Sequence, residues 1–264
     1  MADSSSHNQL IVDQFTRMAA PFAEMPAHSQ ADSMRLLLET AGVNSEDRVL
    51  DVACGPGLVS CAVASIARQV TGIDITPAMI EQARQLQSKR GLSNLSWQVG
   101  DATALPFADA AFSLVLTRYS LHHVLEPAQV VREMARVCAP GGRVVVADVF
   151  AANIDQGNAF DRMEKIRDPS HVRALPLEEL KALLTSAGLH HTRTEFYRLD
   201  VEADALLAAS RTPPAAAEQV RQMLADDIGK DALGVSARRV GQAIYFSFPV
   251  AVLVGVLTFI QKAK

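Results

Sequence analysis

From Arg48 onward, short apolar segments alternate with longer amphipathic ones. The apolar segments predict strands at 48–53, 69–74, 95–100, 112–118 and 142–150. The amphipathic segments predict helices at 58–67, 77–90 and 127–138. A proline opens the second and the third of them, and Gly91 suits the end of the second. Strands that alternate with helices through short loops form a parallel sheet with helices on both faces. The pattern therefore predicts an α/β fold.

The alternation ends after Phe150. Residues 151–175 are mixed and polar, a helix is predicted at 177–187, a strand at 191–199 and a further helix at 213–228. Residues 229–242 have the composition of a mobile basic loop.

The segment 243–260 is free of charged residues and long enough to be considered as a membrane span. Pro249 and Gly255 interrupt it, and it is rich in β-branched residues, which is typical of a strand buried in a sheet. We therefore interpret it as the last strand of the sheet and expect no membrane span. The first ten residues lack the basic and apolar regions of a signal peptide, so we expect a cytoplasmic protein.

Charge and cysteine content exclude some classes of protein. The chain has 264 residues with 25 basic and 29 acidic side chains, a formal net charge of −4, and 49% hydrophobic residues. This composition is globular, and it argues against a nucleic-acid partner because no basic surface is indicated. The three cysteines form no C-x-x-C pair, so we expect no metal site. The sequence leaves the oligomeric state open.

The strongest motif is VLDVACGPG at 49–57, between a predicted strand and a predicted helix. Its glycines allow a tight turn and a close approach of a ligand to the main chain, while the helix start offers free N–H groups. Asp74 ends the next strand, where a carboxylate can hold the two hydroxyls of a ribose. Up to this point, a nicotinamide dinucleotide and S-adenosylmethionine fit equally well.

Three residues favour S-adenosylmethionine. The dinucleotide fingerprint has a third glycine where this chain has Ser60. Asp51 would repel a pyrophosphate but suits the amino group of a methionine tail, and Asp101 can accept a hydrogen bond from an adenine amino group. An NAD(P)-dependent oxidoreductase and a non-catalytic S-adenosylmethionine-binding protein remain the alternatives.

With these residues the chain resembles the class I S-adenosylmethionine-dependent methyltransferases. The motifs are D-x-A-x-G-x-G at 51–57, the strand-end Asp74, G-D-A at 100–102 and A-P-G-G-R at 139–143. The stretch LPFADAAFSLVLTRYSLHHV at 105–124 is similar to the small-molecule methyltransferases of ubiquinone and menaquinone biosynthesis. The resemblance is good over 46–150. It implies a Rossmann-like, mostly parallel sheet of seven strands, whose last strand is antiparallel, with helical cap or lid insertions.

The resemblance also implies which residues bind the cofactor. Ala53 stands where relatives often have glycine, and Phe15 and Phe22 match an N-terminal segment that closes over the cofactor. The full set implied is Asp51, Ala53, Gly55, Gly57, Asp74, Ile75, Met79, Asp101, Ala102, Arg118, Phe15 and Phe22.

The acceptor side is indicated by polar residues near the carboxyl end of the fourth strand. His122 and His123 are candidates for a general base, because an imidazole titrates near neutral pH. Either histidine can equally be a packing or capping residue. Candidate substrate contacts are Tyr119, His171, Arg173 and Tyr245, for which core packing or a salt bridge is the alternative.

We therefore expect one methyltransferase domain over 1–264, moving a methyl group to a small organic acceptor by in-line displacement. Its expected parts are N-terminal lid helices at 1–45, a cofactor-binding core at 46–150, a cap insertion with the sixth strand at 151–242, and the final strand at 243–264. The sequence leaves open whether oxygen, nitrogen or carbon accepts the methyl group.

Overall fold

The computed structural model describes residues 4–23 and 30–258, except for the side chains of Phe22 and Ala23. The strands within these residues are β1 (Arg48–Val52), β2 (Gln69–Asp74), β3 (Leu95–Val99), β4 (Phe112–Arg118), β5 (Cys138–Ala151), β6 (Leu175–Pro176), β7 (Leu189–Glu202), β8 (Arg238–Val240) and β9 (Ala243–Leu257).

Seven of these strands lie side by side in the order β3-β2-β1-β4-β5-β9-β7. The pairs among β1 to β5 are parallel, whereas β9 is antiparallel to both of its neighbours, β5 and β7. The short strands β6 and β8 add to β5 and β9. The predicted α/β fold is confirmed, including the mostly parallel sheet and the antiparallel last strand.

Helices cover the sheet. They are α1 (Ser4–Ala23), α2 (Ala31–Ala41), α3 (Leu58–Ala64), α4 (Pro77–Arg90), α5 (Pro127–Val137), α6 (Ile154–Arg167), α7 (Leu177–Ser186), α8 (Ala203–Ala209) and α9 (Pro214–Asp227), with a short 3-10 helix at Leu121–His123. Proline occupies the first turn of α4, and α4 ends at Gly91 in the left-handed conformation, as the sequence predicts.

The apolar run at the end of the chain forms β9, which lies between β5 and β7. Val250, Ala251, Val252 and Leu253 are fully buried there, because strands covered on both faces exclude water from every side chain. Within the described part of the chain, none of the helices has the length and apolar character that crossing a bilayer requires.

Two polar stretches contain elements that were not located in the sequence. Residues 151–175 contain the helix α6, whose buried face includes Asp161, Glu164 and Arg167, so its sequence lacks an apolar stripe. Residues 229–242 contain β8, which pairs with the start of β9 and is not a free loop. The chain also forms α8 within the segment that follows the predicted strand.

Parallel strands place the loops after β1, β2, β3 and β4 at one edge of the sheet, which is where ligands bind in open α/β folds. Helix α1 packs against α4 and α8 near this edge. The elements after β5 pack into a second apolar core that includes Phe160, Leu206 and Phe248. A cavity that lies between these two groups of elements is therefore lined by residues from before and after β5.

Candidate active site

A cavity of about 200 Å³ lies at this edge of the sheet. The side chain of Phe22 lies outside the described residues. Most of the residues singled out in the sequence line the cavity: Phe15, Asp51, Ala53, Gly55, Asp74, Ile75, Met79, Asp101, Ala102, Arg118, Tyr119, His122 and His123.

The turn after β1 has left-handed backbone at three residues. Ala53, Gly55 and Gly57 have φ of 53°, 53° and 79°. A Cβ at Gly55 would meet no atom within 4 Å, so its main chain is open to a ligand. A Cβ at Gly57 would come within 2.7 Å of the Trp97 ring. Gly57 therefore serves the packing of the turn and does not line the cavity.

Asp51 is a buried carboxylate at the end of β1. The Ser60 hydroxyl donates to its Oδ2 at 2.5 Å, which gives a structural role to the residue that replaces the third glycine. Burial raises the pKa of Asp51 to about 7, although the hydrogen bond from Ser60 opposes the shift. Because the hydrogen bond from Ser60 offsets only part of the cost of burial, this carboxyl group is a favourable partner for a cationic ligand group.

Asp74 holds the turn with both of its oxygens. Oδ2 accepts from the main-chain N–H of Gly55 at 2.9 Å, and Oδ1 accepts from that of Thr76 at 2.8 Å. Burial raises the pKa of this carboxyl, and the two N–H donors oppose the shift. Each carboxylate oxygen still has a lone pair, so the group can also accept two ribose hydroxyls.

Asp101 follows β3 and is held from two sides. Its Oδ1 accepts from the main-chain N–H and the hydroxyl of Thr103, both at 2.8 Å. The Asn8 side chain in α1 donates to Oδ2 at 2.8 Å. Sequence reasoning did not single out Asn8, because a polar residue in a helical pattern carries no signal of its own. Through Asn8, α1 reaches the position expected for the adenine amino group.

Arg118 and Tyr119 form a polar cluster at the end of β4. The guanidinium carbon of Arg118 lies 4.4 Å from the centroid of the Tyr119 ring, and Nη2 donates to the Tyr119 hydroxyl at 3.1 Å. The Tyr119 and Tyr197 hydroxyls are 2.5 Å apart. Both Arg118 and Tyr119 line the cavity, and Tyr197 supports them from β7.

His122 is paired with a carboxylate that sequence reasoning did not single out. Its Nδ1 lies 2.5 Å from Oδ1 of Asp148 in β5, and the Asp148 side chain is almost fully buried. Burial lowers the pKa of His122, but the charge of Asp148 and its hydrogen bond outweigh burial, so the pKa lies above that of a free imidazole. No described residue hydrogen-bonds Nε2, and His122 lines the cavity.

His123 has different surroundings. Its Nδ1 is 3.1 Å from the Ser170 hydroxyl, which donates to Asp168 at 2.6 Å. Its ring lies 4.3 Å from that of His122, centroid to centroid. Burial and the neighbouring His122 bring the pKa of His123 well below its ordinary value, so this imidazole is neutral at physiological pH.

Three candidate substrate contacts lie outside the cavity lining. His171 is buried behind His122 and binds Oδ1 of Asp161 through Nε2 at 2.7 Å. Arg173 is half exposed and pairs with Glu179 at the start of α7. It therefore forms a salt bridge, which was the alternative to a substrate contact. Tyr245 lies where β9 pairs with β8, with the Arg238 guanidinium 5.8 Å from its ring centroid. These three residues are therefore not part of the candidate site.

The cavity lining contributed by residues 149 to 248 is largely apolar, with one buried ion network. Arg167 binds Oε2 of Glu164 at 2.5 Å and the Ser210 hydroxyl at 2.6 Å, and Asp168 lies 3.9 Å away. The apolar lining comes from β5, α6, β7, α8 and β9, and consists of Val149, Phe160, Leu199, Leu206 and Phe248. Among the described residues, no group of three or more His, Cys, Asp or Glu side chains is arranged to hold a metal ion.

The donor set fits S-adenosylmethionine. The cavity offers a buried carboxyl for an amine at Asp51, a carboxylate for two hydroxyls at Asp74 and a carboxylate for an amino group at Asp101. A pyrophosphate would instead meet Asp51 and Asp74 on either side of the glycine turn, where like charges repel it.

Comparison with known proteins agrees with this site. A family model described as a methyltransferase domain matches residues 50–146. The uncharacterized methyltransferase YcgJ of Bacillus subtilis is 28% identical over 245 residues, which are 92% of this chain and 97% of that protein. The crystal structure of YcgJ has a TM-score of 0.80 at 27% identity, over 86% of this chain and 99% of that chain.

Two further relatives support the assignment. The protein YafE of Escherichia coli is 33% identical over 153 residues, which are 58% of this chain and 74% of that protein. A demethylmenaquinone methyltransferase of Renibacterium salmoninarum is 39% identical over 114 residues, 43% of this chain and 46% of that protein. With the motif residues gathered around one cavity in a sheet of this order, the chain belongs to the class I S-adenosylmethionine-dependent methyltransferases and is an enzyme of that family.

Proposed function

We propose that the cavity binds S-adenosylmethionine and that the enzyme transfers its methyl group to a small organic acceptor. The observation that carries the proposal is the convergence of Asp51, Asp74 and Asp101 on one cavity at the carboxyl ends of three neighbouring strands. Their partners leave each carboxyl group able to accept from the ligand group that its position suits.

Each part of the site then has a role. Asp51 holds the amino group of the methionine tail and the main chain of Gly55 lies along it, while Asp74 binds the ribose hydroxyls. Asp101 accepts from the adenine amino group, and Ala102 contributes its main chain. Ile75 and Met79 flank the adenine, and Phe15 covers the cavity from α1.

The methyl donor supplies a carbon that its positively charged sulfur already activates. The protein therefore has to align the acceptor with that carbon and exclude water. Alignment of reacting groups alone supplies up to roughly 7–11 kcal/mol in the best intramolecular models. In a single domain over 1–264, we assign this task to the segments 1–45 and 151–242, since α1, α6 and α8 contribute Phe15, Phe160 and Leu206 to the cavity wall.

A small-molecule acceptor is supported by the apolar part of the cavity lining and by the name of one relative, a demethylmenaquinone methyltransferase. The net charge of −4 gives no support for a nucleic acid as the acceptor.

Isothermal titration with S-adenosylhomocysteine, the demethylated product, tests the proposal. We expect one ligand per chain with a dissociation constant below a millimolar, and a much weaker interaction with NADH. The Asp74→Ala variant should lose most of the affinity, whereas Asp226→Ala, on an exposed face of α9, should keep it. An absence of heat at sub-millimolar ligand with the folded wild-type enzyme would contradict the proposal.

A further inference from the structure

His122, which lines the cavity, forms a dyad with Asp148 of β5. Asp148 also accepts from the main-chain N–H groups of Leu121, at 2.6 Å, and Val149, at 2.7 Å. These bonds fix the carboxylate and, through it, the imidazole. Because Nδ1 faces Asp148, the proton on Nδ1 is retained and Nε2 is the nitrogen that can accept another. This is the arrangement of a general base held in one tautomer.

His123 does not compete for this role. Its imidazole is neutral, but its Nδ1 is bound to Ser170 and no carboxylate touches the ring directly. A proton taken by His123 would sit on a buried ring beside His122, and Asp168 reaches that ring only through Ser170, so protonation is costly.

One apolar wall of the cavity indicates the body of the acceptor. Two aromatic rings from α6 and β9, Phe160 and Phe248, stand edge to face with centroids 5.9 Å apart. Leu199 and Leu206 complete this wall. Binding of an apolar ring or chain is favoured here in proportion to the apolar area that it buries. A strongly hydrated molecule would instead lose its hydrogen bonds to water without gaining others.

The charges around the cavity indicate an uncharged acceptor. On the acceptor side of the described lining, the carboxyl groups of Glu164 and Asp168 outnumber the guanidinium group of Arg167. Arg167 is already bound to Glu164 and Ser210, so it is not available to neutralise an acidic acceptor. An acceptor that carries a carboxylate would meet net repulsion.

We infer that the acceptor is a neutral hydroxyl compound with an apolar body, and that His122, positioned by Asp148, takes the hydroxyl proton during methyl transfer. The inference rests on the proposed function, because it concerns the acceptor half of the same cavity. A dyad of this kind serves a nucleophile that arrives with a proton to lose, and a phenol or enol is such a nucleophile.

Methyl transfer replaces a carbon–sulfur bond by a carbon–oxygen bond. The hydroxyl oxygen forms a bond to the methyl carbon, and the carbon–sulfur bond breaks with its electron pair going to sulfur, which becomes a neutral thioether. The hydroxyl proton goes to Nε2 of His122. The resulting imidazolium is stabilised by Asp148 and returns the proton to water after the products leave.

The dyad makes the reaction depend on pH. Asp148 holds the pKa of His122 above its ordinary value despite burial, and the unprotonated form is the base, so the rate rises as pH increases through that raised pKa. The titratable or charged groups around His122 are Asp148, Glu164, Asp168, His123 and His171. In the Asp148→Asn variant, the pKa of His122 falls and the rising limb of the pH profile moves to lower pH.

A binding experiment tests the proton transfer without turnover. The enzyme is saturated with S-adenosylhomocysteine and titrated with 4-nitrophenol, whose absorbance reports its ionisation, one unit below the pKa of the free nitrophenol. We expect the bound nitrophenol to be more ionised in the wild type than in solution, because His122 holds a proton as the imidazolium beside the bound phenolate. His122→Gln should abolish this excess ionisation. The matched control His190→Gln, which changes an exposed side chain on β7, should retain it.

A turnover experiment tests the acceptor class with 1-naphthol and 1-naphthoate, which share one apolar body. With tritiated methyl donor we expect methylation of 1-naphthol and at most trace methylation of 1-naphthoate. His122→Gln should lower kcat for 1-naphthol by on the order of 10²- to 10⁴-fold at neutral pH, the usual contribution of a general base. His190→Gln should leave kcat unchanged.

Three results would overturn the inference. One is equal ionisation of bound nitrophenol in the wild type and in His122→Gln. Another is methylation of 1-naphthoate at or above the rate of 1-naphthol, and the third is no methylation of 1-naphthol. If S-adenosylhomocysteine still binds in these experiments, the inference about the acceptor and His122 is wrong while the proposed function stands. If it does not bind, the proposed function itself has failed.

Discussion

Asp51 should make cofactor binding depend on pH. Burial gives this carboxyl a pKa of about 7 in the free enzyme, so near neutral pH it is only partly ionised. An ammonium group needs the ionised form as its partner. With a pKa of about 7, the ionised fraction rises from about 9% at pH 6 to about 50% at pH 7, so S-adenosylhomocysteine should bind about fivefold more tightly at pH 7, a difference of about 1 kcal/mol.

Calorimetric titration at pH 6 and pH 7 measures this difference. Each titration is repeated in two buffers of different ionisation enthalpy, which reports the protons exchanged on binding. Because the free carboxyl is mostly protonated at pH 6 and the bound one is ionised, about 0.9 proton per ligand should be released there. The amino group of the ligand stays protonated over this range and adds nothing.

The Asp51→Asn variant is the control, because it keeps the size of the side chain and removes its titration. His122 also titrates above the ordinary imidazole value, and it remains intact in this variant. We expect weaker binding whose affinity hardly changes between pH 6 and pH 7. Equal affinities at both pH values in the wild type, or the same pH dependence in Asp51→Asn, would refute the reasoning.

Further predictions concern the turn after β1 and the adenine end. Gly57→Ala should lower the free energy of unfolding in urea by more than Gly55→Ala. Either substitution costs about 1–2 kcal/mol, because alanine would have to adopt the left-handed backbone. Only at position 57 would the new Cβ also come within 2.7 Å of Trp97. Equal losses in the two variants would contradict this. Ala53→Gly should raise that free energy by at most about 1 kcal/mol and keep S-adenosylhomocysteine affinity, because φ is 53° there; a loss of affinity would give Ala53 a different role. Asp101→Ala should weaken that ligand by about 1.5–3 kcal/mol in a titration, the usual contribution of a hydrogen bond to a charged group, and unchanged affinity would exclude it from the adenine site.

The cofactor-binding residues could be predicted from the sequence, because the motifs that mark them are local. The strand, glycine turn and helix around Gly55 occupy one continuous stretch, and α4 runs from Pro77 to Arg90 as its proline and glycine predict. The carboxyl ends of parallel strands then bring Asp74 and Asp101 to the same edge without further information.

The residues on the acceptor side could not be predicted in the same way, because only the tertiary structure brings them together. Asp148 lies inside the apolar strand β5, and only the fold brings it to His122, 26 residues earlier in the chain. Helix α6 escaped notice because its inner face pairs Glu164 with Arg167 instead of presenting an apolar stripe. Arg173 looked like a ligand residue in the sequence, but its partner is Glu179 in the next helix.

A crystal structure of the enzyme with S-adenosylhomocysteine tests the central claim most directly. The account predicts ribose hydroxyls within about 3 Å of the Asp74 carboxylate, the amino group of the ligand beside Asp51 and the adenine amino group beside Asp101. It also predicts that the sulfur faces His122. A ligand bound in the reverse direction, or one that makes no contact with Asp51 and Asp74, would contradict the account.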